Sequence, residues 1–293
     1  MAFLEYRPVS TLFHYCGAGG FGGITASGSI WLTDLQYAND PKELQLAEVI
    51  DGVMSEITDS GTTALAVKAT YRHLKRRLHL LRPRFGMYSF SLSLRGDQLP
   101  MWQEYTERGR GFCIGFRASA FNDMPLRIQR VNYVRPDYFG SLHLKVEEIS
   151  RPLVGNENDF MKEIGPVTSI LAMITSTKDD TWAHEDEVRL IFSSMAKPID
   201  FIGVPSFPVS ILRDGTKVYP ADPLVRERNG SQVPYFMKPF GRMRTSLWDC
   251  SRAISHVIIG PNNESTPEKI EDNLLKLGYR GFEVTKSRCA FRP

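Results

Sequence analysis

The stretch DDTWAHEDEVRLIF, residues 179–192, places five acidic residues, a Trp and a His in front of an apolar run. The run EVRLIF alternates with the period of a β-strand. Its apolar face consists of Val188, Leu190 and Phe192. Glu185, Glu187 and Arg189 are then predicted to share the opposite face, so that two carboxylates point into the same space. A strand with a solvated outer face has the same pattern, so both interpretations stay open.

The composition is that of an ordinary globular protein, with 293 residues, 42% hydrophobic, 24% charged and a net charge of +3. Such a chain can bury a sizeable core, and its mild positive charge neither favours nor excludes nucleic acid. Four cysteines without a C-x-x-C pair indicate free thiols in a reducing compartment. The first residues lack a signal-peptide pattern, and no apolar run reaches about 18 residues. We therefore expect a cytoplasmic protein without a membrane partner.

Strand and helix patterns alternate on both sides of this stretch. Strands are predicted at residues 11–16, 29–34, 87–94, 111–116, 126–134, 185–192, 254–260 and 282–289. Helices are predicted at about 41–57, 62–82, 99–109, 158–176 and 261–278. This order predicts an α+β fold in a single domain, residues 1–293. Within it we expect a helical insertion at about 41–84 and an irregular insertion at about 196–245, which is rich in Pro and Gly.

Two further strands carry polar side chains that could bind a ligand. Ser89, Ser91 and Ser93 share one face of YSFSLSL, where they could hold a ligand by hydrogen bonds or simply form a polar sheet face. His14 and Tyr15 lie in the first predicted strand, just before a glycine-rich connection. That connection has neither the Rossmann nor the Walker pattern. A single histidine of this kind is also common as a structural residue.

Two helical patterns have a structural and a functional interpretation. Trp102 and Tyr105 lie three residues apart on one helical face, either as core residues or as an aromatic clamp for a flat ring. A basic stripe follows the helix predicted at 62–82, where it could bind a polyanion with salt-dependent affinity or face solvent. The stripe consists of Lys68, Arg72, Lys75, Arg76 and His79.

A metal site has little support in the sequence. Asp34, Asp40 and Glu43 could join the two glutamates around Mg²⁺. However, Asp40 and Glu43 also fit a helix-capping box, and no His or Cys spacing typical of metal ligands occurs. We therefore predict no metal.

Several segments, taken in order, resemble a bacterial family of domains of unknown function numbered 2971 over nearly the whole chain. These segments are FHY, GSIWLTDLQYANDPKE, FSLSLRGDQLPMWQEYTERGRGFCIGF, KDDTWAHEDEVRLIF, ISHVIIGPN and SRCAFRP. Their most specific parts are Asn39-Asp40-Pro41, Met101-Trp102 with Tyr105, Gly111 to Phe116, and Trp182 with Glu185-x-Glu187-x-Arg189.

The motif order in this family is similar to that of ADP-ribosyltransferases. Those enzymes carry an Arg or His on a first strand, Ser-x-Ser or a Tyr on a second, and a Glu, often within Glu-x-Glu, on a third. The counterparts here are His14, Ser91-Leu92-Ser93 and Glu185-Asp186-Glu187. His14 suits one class of these enzymes and the other two motifs suit another, so the role of the second motif stays open. The resemblance implies a split mixed sheet with helices between and around the strands, and NAD as the substrate.

The resemblance also implies roles for single residues. Glu187 would stabilise positive charge on the ribose in an oxocarbenium-like transition state, and Glu185 would activate or orient the acceptor. The change Glu187→Gln is then expected to abolish transfer and leave the fold intact. Trp182 would contact the acceptor. The remaining NAD-binding residues would be His14, Tyr15, Asn39, Ser91, Ser93, Trp102 and Tyr105.

The leading hypothesis from the sequence is a bacterial NAD-dependent ADP-ribosyltransferase that modifies a protein or nucleic-acid acceptor. A toxin or phage-defence effector is one setting for that activity, and it leaves room for an antitoxin or regulatory partner. Two alternatives stay open. One is a non-catalytic nucleic-acid-binding module that uses the basic stripe, and the other is a metal-dependent nuclease or hydrolase.

Overall fold

A computed structural model describes residues 6–292 apart from 41, 43, 82–84, 125, 135–138, 158, 196–209, 212–216, 219–222, 229 and 245–246. The predicted α+β class is confirmed, because a mixed sheet is combined with several helices. The helices are α1 (Ala18–Ser27), α2 (Leu46–Asp59), α3 (Leu65–Leu81), α4 (Leu99–Tyr105), α5 (Phe139–Ser150), α6 (Phe160–Thr175) and α7 (Pro267–Lys276). Across the described ranges, no helix is both long and apolar enough to cross a membrane.

Among the described residues, ten strands form the main sheet. They are β1 (Leu12–Cys16), β2 (Ser29–Asp34), β3 (Phe85–Ser93), β4 (Phe112–Phe116), β5 (Arg127–Arg130), β8 (Glu187–Met195), β11 (Leu224–Arg228), β12 (Ser231–Pro239), β15 (Ile254–Ile259) and β16 (Glu283–Lys286). Three short pairs lie outside it: β6 (Asn132–Val134) with β7 (Thr177–Asp179), β9 (Ser210–Ile211) with β10 (Lys217–Val218), and β13 (Arg242–Arg244) with β14 (Leu247–Asp249).

The main sheet branches at β3. One edge of β3 pairs with β8 along its whole length, from Phe85↔Met195 to Ser93↔Glu187. The other edge is shared, because β2 pairs with it at Tyr88 and Ser89 and β1 pairs with it at Ser93. One arm continues as β2–β12–β11 and the other as β1–β4–β15–β16. Between the arms, residues 90–92 of β3 pair with no described strand on that edge, and a gap opens there.

Three hydrophobic clusters lie among the described residues, and two of them are extensive. The first lies on the strand face that carries Phe90, Leu92 and Val188, and α1 and α7 contribute to it. The second core is almost entirely helical and joins α2 and α3 to α5 and α6. The helices at 46–81 therefore pack against α5 and α6 instead of lying directly on the sheet. Helix α6 leads through β7 into the acidic stretch, so this helical layer supports the segment that carries the glutamates.

Several predicted boundaries differ from the structure. The predicted capping box at Asp40 is wrong, because α2 begins at Leu46 and the Asp40 carboxylate accepts a hydrogen bond from the Lys42 N–H, at 2.8 Å. Leu44 has a φ of 69°, a left-handed conformation that interrupts a right-handed helix. Glu43 and Pro41 lie outside the described residues. The strand predicted at 126–134 is two strands, since β5 pairs with β8 and β6 pairs with β7.

The region predicted as irregular, about 196–245, lies partly outside the described residues. Its described part contains a regular hairpin, β11–β12, and β12 pairs with β2 from Tyr235↔Thr33 to Pro239↔Ser29. This part thus extends one arm of the sheet. Helix α5 was missed by the sequence analysis, although it belongs to the helical core.

Candidate active site

A cleft of about 390 Å³ lies where β1 and β2 diverge from β3. It brings together most of the residues that the sequence analysis singled out. Those that line it are His14, Tyr15, Asn39, Ser89, Ser91, Ser93, Tyr105, Glu185, Glu187 and Arg189. Its lining also includes residues that the sequence analysis missed, namely Trp31, Lys178, Arg226 and Arg228.

The two glutamates meet through a turn and not through strand alternation. Glu185 ends a short 3-10 helix, Asp180–Glu185, whereas Glu187 begins β8. Between them Asp186 adopts a left-handed conformation with a φ of 43°. Its carboxylate accepts hydrogen bonds from Arg95 Nε, at 3.1 Å, and Arg130 Nη2, at 3.0 Å. Asp186 therefore holds the turn that directs both neighbouring carboxylates to one lysine, Lys178.

Glu187 is buried and ionised. Arg189 donates to both carboxylate oxygens, from Nε at 2.9 Å and from Nη2 at 2.9 Å, and Lys178 Nζ lies 3.8 Å away. Burial alone would raise the pKa of Glu187, but the charge and hydrogen bonds of Arg189 outweigh burial, with help from Lys178 and Ser91. The pKa is lowered to about 2. This side chain is therefore a carboxylate at any physiological pH.

Glu185 is buried in a different electrostatic setting. Its Oε2 accepts a hydrogen bond from Lys178 Nζ, at 2.7 Å, and its Oε1 accepts one from the Tyr105 hydroxyl. Burial and the negative charge of Glu187 raise the pKa of Glu185, and Lys178 only partly offsets them. The pair thus combines a firmly ionised carboxylate with one that takes up a proton more readily, an arrangement typical of acid–base sites. The interpretation of these glutamates as a solvated strand face is wrong, since both are buried.

His14 connects β1 to β3 beside the gap between the two arms. Its Nδ1 donates a hydrogen bond of 2.9 Å to the carbonyl oxygen of Ser91, on the part of β3 where the strands separate. Burial in the cleft lowers the pKa of His14 to about 4, an effect that the Ser91 hydrogen bond opposes and the charge of Arg226 reinforces. The ring is therefore neutral near pH 7. Since Nδ1 carries the proton, Nε2 is left as a hydrogen-bond acceptor.

The two serines of the second motif differ. Ser91 is exposed in the cleft and hydrogen-bonds Glu187. Ser93 is almost fully buried, and its hydroxyl accepts a hydrogen bond from the Arg95 N–H, at 3.1 Å. Ser91 is thus the better placed of the two to contact a ligand. Asn39 is exposed at the cleft, where its side-chain oxygen accepts a hydrogen bond from Arg228.

The predicted cofactor contact of Trp102 is wrong. Trp102 is 0% exposed and does not line the cleft, because its Nε1 donates to Asp97 and its ring packs edge-on against Tyr15, at 5.1 Å. Tyr15 lines the cleft with a buried ring. Its hydroxyl donates to the Arg95 carbonyl and accepts from the Gln98 N–H, so that hydroxyl stabilises the fold. Of the predicted aromatic clamp, only Tyr105 lies at the cleft.

Trp182 lies beside the acid pair and is half-buried. Lys178 Nζ lies 4.4 Å from the centre of its ring, and the His184 ring stacks on it at 6.2 Å. It does not line the cleft itself. Its predicted role in contacting the acceptor therefore stays a prediction.

The basic stripe lies on α3, and none of its residues lines the cleft. Lys75 is engaged within the protein, with Nζ 3.1 Å from an Asp51 carboxylate oxygen and 2.6 Å from the Ser55 hydroxyl. His79 contacts the same aspartate at 2.7 Å. Lys68 is partly exposed, and Arg72 and Arg76 are exposed. A nucleic-acid role for the stripe is untested, and Lys75 is its least available member.

The carboxylates that could have surrounded Mg²⁺ do not form a metal site among the residues that the structure describes. No group of three or more His, Cys, Asp or Glu side chains there could hold a metal ion. Asp34 lines the cleft, but its carboxylate caps a turn by accepting the Gln36 N–H, at 2.9 Å. Asp40 caps the Lys42 turn.

The missed residues have weak sequence signals. Lys178 stands seven residues before Glu185, and no periodic pattern links a lysine before a helical turn to a carboxylate after it. Arg226 and Arg228 alternate along LVRER, residues 224–228, and a strand prediction there would have placed both on one face.

Residues 101–190 match the model of a family described as "Protein of unknown function (DUF2971)". This match supports the resemblance to that family over this region. The matched region contains both glutamates, Tyr105, Lys178 and Arg189, whereas His14, Ser91, Arg226 and Arg228 lie outside it. Comparisons with curated proteins and with solved structures found no match.

Proposed function

We propose that the protein is an NAD-dependent ADP-ribosyltransferase and that the cleft at the branch of the sheet binds NAD. The observation that carries this proposal is the meeting of three motifs from three strands in one cleft. They are His14 on β1, Ser91 on β3, and the Glu185–Glu187 pair at the start of β8. The separation of β1 from β2 along β3 also fits the split sheet expected of these enzymes.

Glu187 would stabilise the ribose as it becomes positive. In this reaction the bond between ribose C1′ and the nicotinamide nitrogen breaks, and its electron pair leaves with neutral nicotinamide. The sugar passes through an oxocarbenium-like state, which a nearby carboxylate stabilises. Because Arg189 keeps Glu187 ionised, this charge is present before substrate binds and needs no proton transfer.

Glu185 would act on the acceptor. When an acceptor oxygen or nitrogen attacks C1′, it loses a proton, and the carboxylate of Glu185 takes that proton up. A raised pKa makes Glu185 a better base than an ordinary carboxylate. Lys178 and Tyr105 hold it in place through one hydrogen bond to each oxygen.

His14 and Ser91 would bind the sugar. A neutral histidine with a free Nε2 accepts a hydrogen bond from a ribose hydroxyl, and the exposed Ser91 hydroxyl can donate or accept one. Tyr105 offers an aromatic ring at the same end of the cleft. The acceptor class, protein or nucleic acid, is left open by this proposal, as is a toxin or phage-defence role.

Glu185→Gln tests the proposal. We expect the wild type to release nicotinamide from NAD, and we expect the variant to lose transfer to an added acceptor by about 100-fold or more, the usual range for a general base. Hydrolysis of NAD should fall less, because it does not require the same acceptor contact. Nicotinamide release and acceptor labelling are measured on one preparation, with Glu104→Gln as a matched control. Glu104 is exposed and contacts only His184 among the described contacts.

Absence of both NAD binding and nicotinamide release in the wild type would overturn the proposal. Equal loss of hydrolysis and transfer in Glu185→Gln would instead assign Glu185 to the cofactor or to the fold.

A further inference from the structure

The arm β2–β12–β11 contributes a positively charged group to the cleft. Arg226 and Arg228 lie two residues apart on β11 and so share a face of that strand. Both line the cleft, together with Trp31 of β2 and Asn39. The chemistry assigned to the acid pair does not use Arg226 or Arg228.

The two arginines have neutral hydrogen-bond partners. Arg226 Nη2 donates to the Thr33 hydroxyl, at 2.8 Å, and Arg228 Nη2 donates to the Asn39 side-chain oxygen, at 2.9 Å. In the described part of the chain, neither arginine forms an ion pair with a carboxylate. Burial and the charge of Arg228 lower the pKa of Arg226. Two cations therefore face the cleft, and neither is paired with a carboxylate among the described residues.

Beside these arginine contacts, two N–H donors are buried and have no hydrogen-bond partner among the described residues. They are Trp31 Nε1 and Arg226 Nε. Such donors are uncommon in folded proteins, because desolvating an N–H without replacing its hydrogen bond is costly. The Arg226 guanidinium is held 5.4 Å from the ring centres of both Trp31 and Tyr235. Trp31 is itself confined, since a Cβ on Gly23 would lie 2.5 Å from its ring.

We infer that Trp31, Asn39, Arg226 and Arg228 form an anion subsite that binds the phosphate groups of a nucleotide. Guanidinium groups recognise phosphate oxygens through paired N–H donors, and here the buried N–H of Trp31 stands beside that of Arg226. The subsite lies in the same cleft as His14 and Ser91, the residues proposed to bind the sugar. The cleft volume of about 390 Å³ lies within the range of small-ligand sites. Only the identification of the nucleotide as NAD rests on the proposed function.

Calorimetric titration of the full chain with ADP, adenosine and inorganic pyrophosphate tests this subsite. We expect ADP to bind at least 10-fold more tightly than adenosine. Arg228→Gln and Arg226→Lys should each weaken ADP binding by about 10-fold, and so remove most of that preference, because each loses charge-assisted hydrogen bonds to phosphate. Adenosine has no phosphate, so its binding should be unchanged. Arg228 is exposed, so its variant is expected to fold. Arg72→Gln, an exposed arginine on α3, is the matched control and should change nothing.

An ADP-to-adenosine ratio near one in the wild type, or a ratio unchanged in both variants, would overturn the subsite. Pyrophosphate binding as tight as ADP binding would overturn its assignment to a nucleotide. These measurements also distinguish failure of the subsite from failure of the proposed function. Arginine-dependent ADP binding without NAD turnover would reject only the transferase, and NAD turnover with unchanged KM in both arginine variants would reject only the subsite.

Discussion

Two charged clusters of this protein contain similar residues in different surroundings. In the cleft cluster, Glu185 and Glu187 pair with Lys178 and Arg189, and all four side chains are almost completely buried. In the helical cluster, Asp51 of α2 pairs with Lys75 and His79 of α3, and the Asp51 and Lys75 side chains are each 32% exposed. In both clusters, basic partners lower the pKa of a carboxyl group. Arg189 and Lys178 lower that of Glu187, and hydrogen bonds from His79 and Lys75 lower that of Asp51.

The difference in burial determines what each cluster contributes. Buried charges lose their hydration, so removing one partner leaves another without compensation, whereas exposed charges recover water. The cleft cluster should therefore be sensitive to substitution and pH, and the helical cluster tolerant of both. The following changes test that contrast, in order of decreasing expected effect.

Glu187→Gln should lower the free energy of unfolding by about 3–5 kcal/mol, because it leaves Arg189 buried without its carboxylate partner. This expectation replaces the one drawn from the sequence, in which the variant kept an intact fold. Urea unfolding of wild type and variant measures the loss. The double variant Glu187→Gln/Arg189→Gln should recover part of it, since both charges are then absent. If Glu187→Gln were as stable as the wild type, the expected difference between the two clusters would be wrong.

Acid should destabilise the protein through Glu187. Its folded pKa of about 2 lies below the ordinary value of 4.5, so the ionised group stabilises the fold above about pH 4.5. That contribution, about 3 kcal/mol, is lost as the pH falls towards 2. Glu185 has the opposite sign, because burial and the charge of Glu187 raise its pKa in the fold, so its contribution to stability is present below its ordinary pKa and is lost as the pH rises through the folded value.

The ¹³C chemical shift of the Glu187 carboxyl, followed by NMR during acid titration, measures this pKa directly. The unfolding free energy of wild type should also fall more steeply below pH 4.5 than that of Glu187→Gln. Parallel curves for the two proteins would contradict the assignment of this acid sensitivity to Glu187.

Lys75→Gln should change the free energy of unfolding by less than about 1 kcal/mol, as expected for a partly exposed ion pair. Thermal unfolding at low and high salt measures it, and added salt should shrink the difference further. Arg76→Gln is the matched control, since Arg76 is exposed on the same helix. If Lys75→Gln lost as much unfolding free energy as Glu187→Gln, burial would not explain a difference between the two clusters.

The sequence predicted much of the fold because local periodicity is strong in its central elements. The alternation in YSFSLSL and EVRLIF corresponds to β3 and β8, which pair along their whole length. Periodicity could not reveal the left-handed Leu44 that delays α2, because backbone dihedral angles of single residues are not encoded by hydrophobic spacing. It also could not reveal that β12 joins β2, a pairing between distant segments.

For the candidate site, too, one part could be predicted from the sequence and another part depended on the tertiary structure. Glu185 and Glu187 could be selected from the sequence alone because they stand two residues apart in front of an apolar run. Their convergence was predicted for the wrong reason, since it depends on the turn at Asp186 and on Arg95 and Arg130, which are remote in sequence. Trp102 was assigned to the cofactor because a helical face looks the same whether it lines a cleft or a core.

By itself, the sequence determined the α+β class, the central strands and the residue types available for chemistry, because short-range periodicity reflects how strands and helices bury one face. The tertiary structure alone decided which of those residues share a cleft, that Arg189 and Lys178 keep Glu187 ionised while burial raises the pKa of Glu185, and that two arginines face the same space. The physical reason is that burial and electrostatic pairing depend on distances between residues far apart in the chain. Examples are the 3.0 Å between Arg130 and Asp186 and the approach of β11 to β2 through β12.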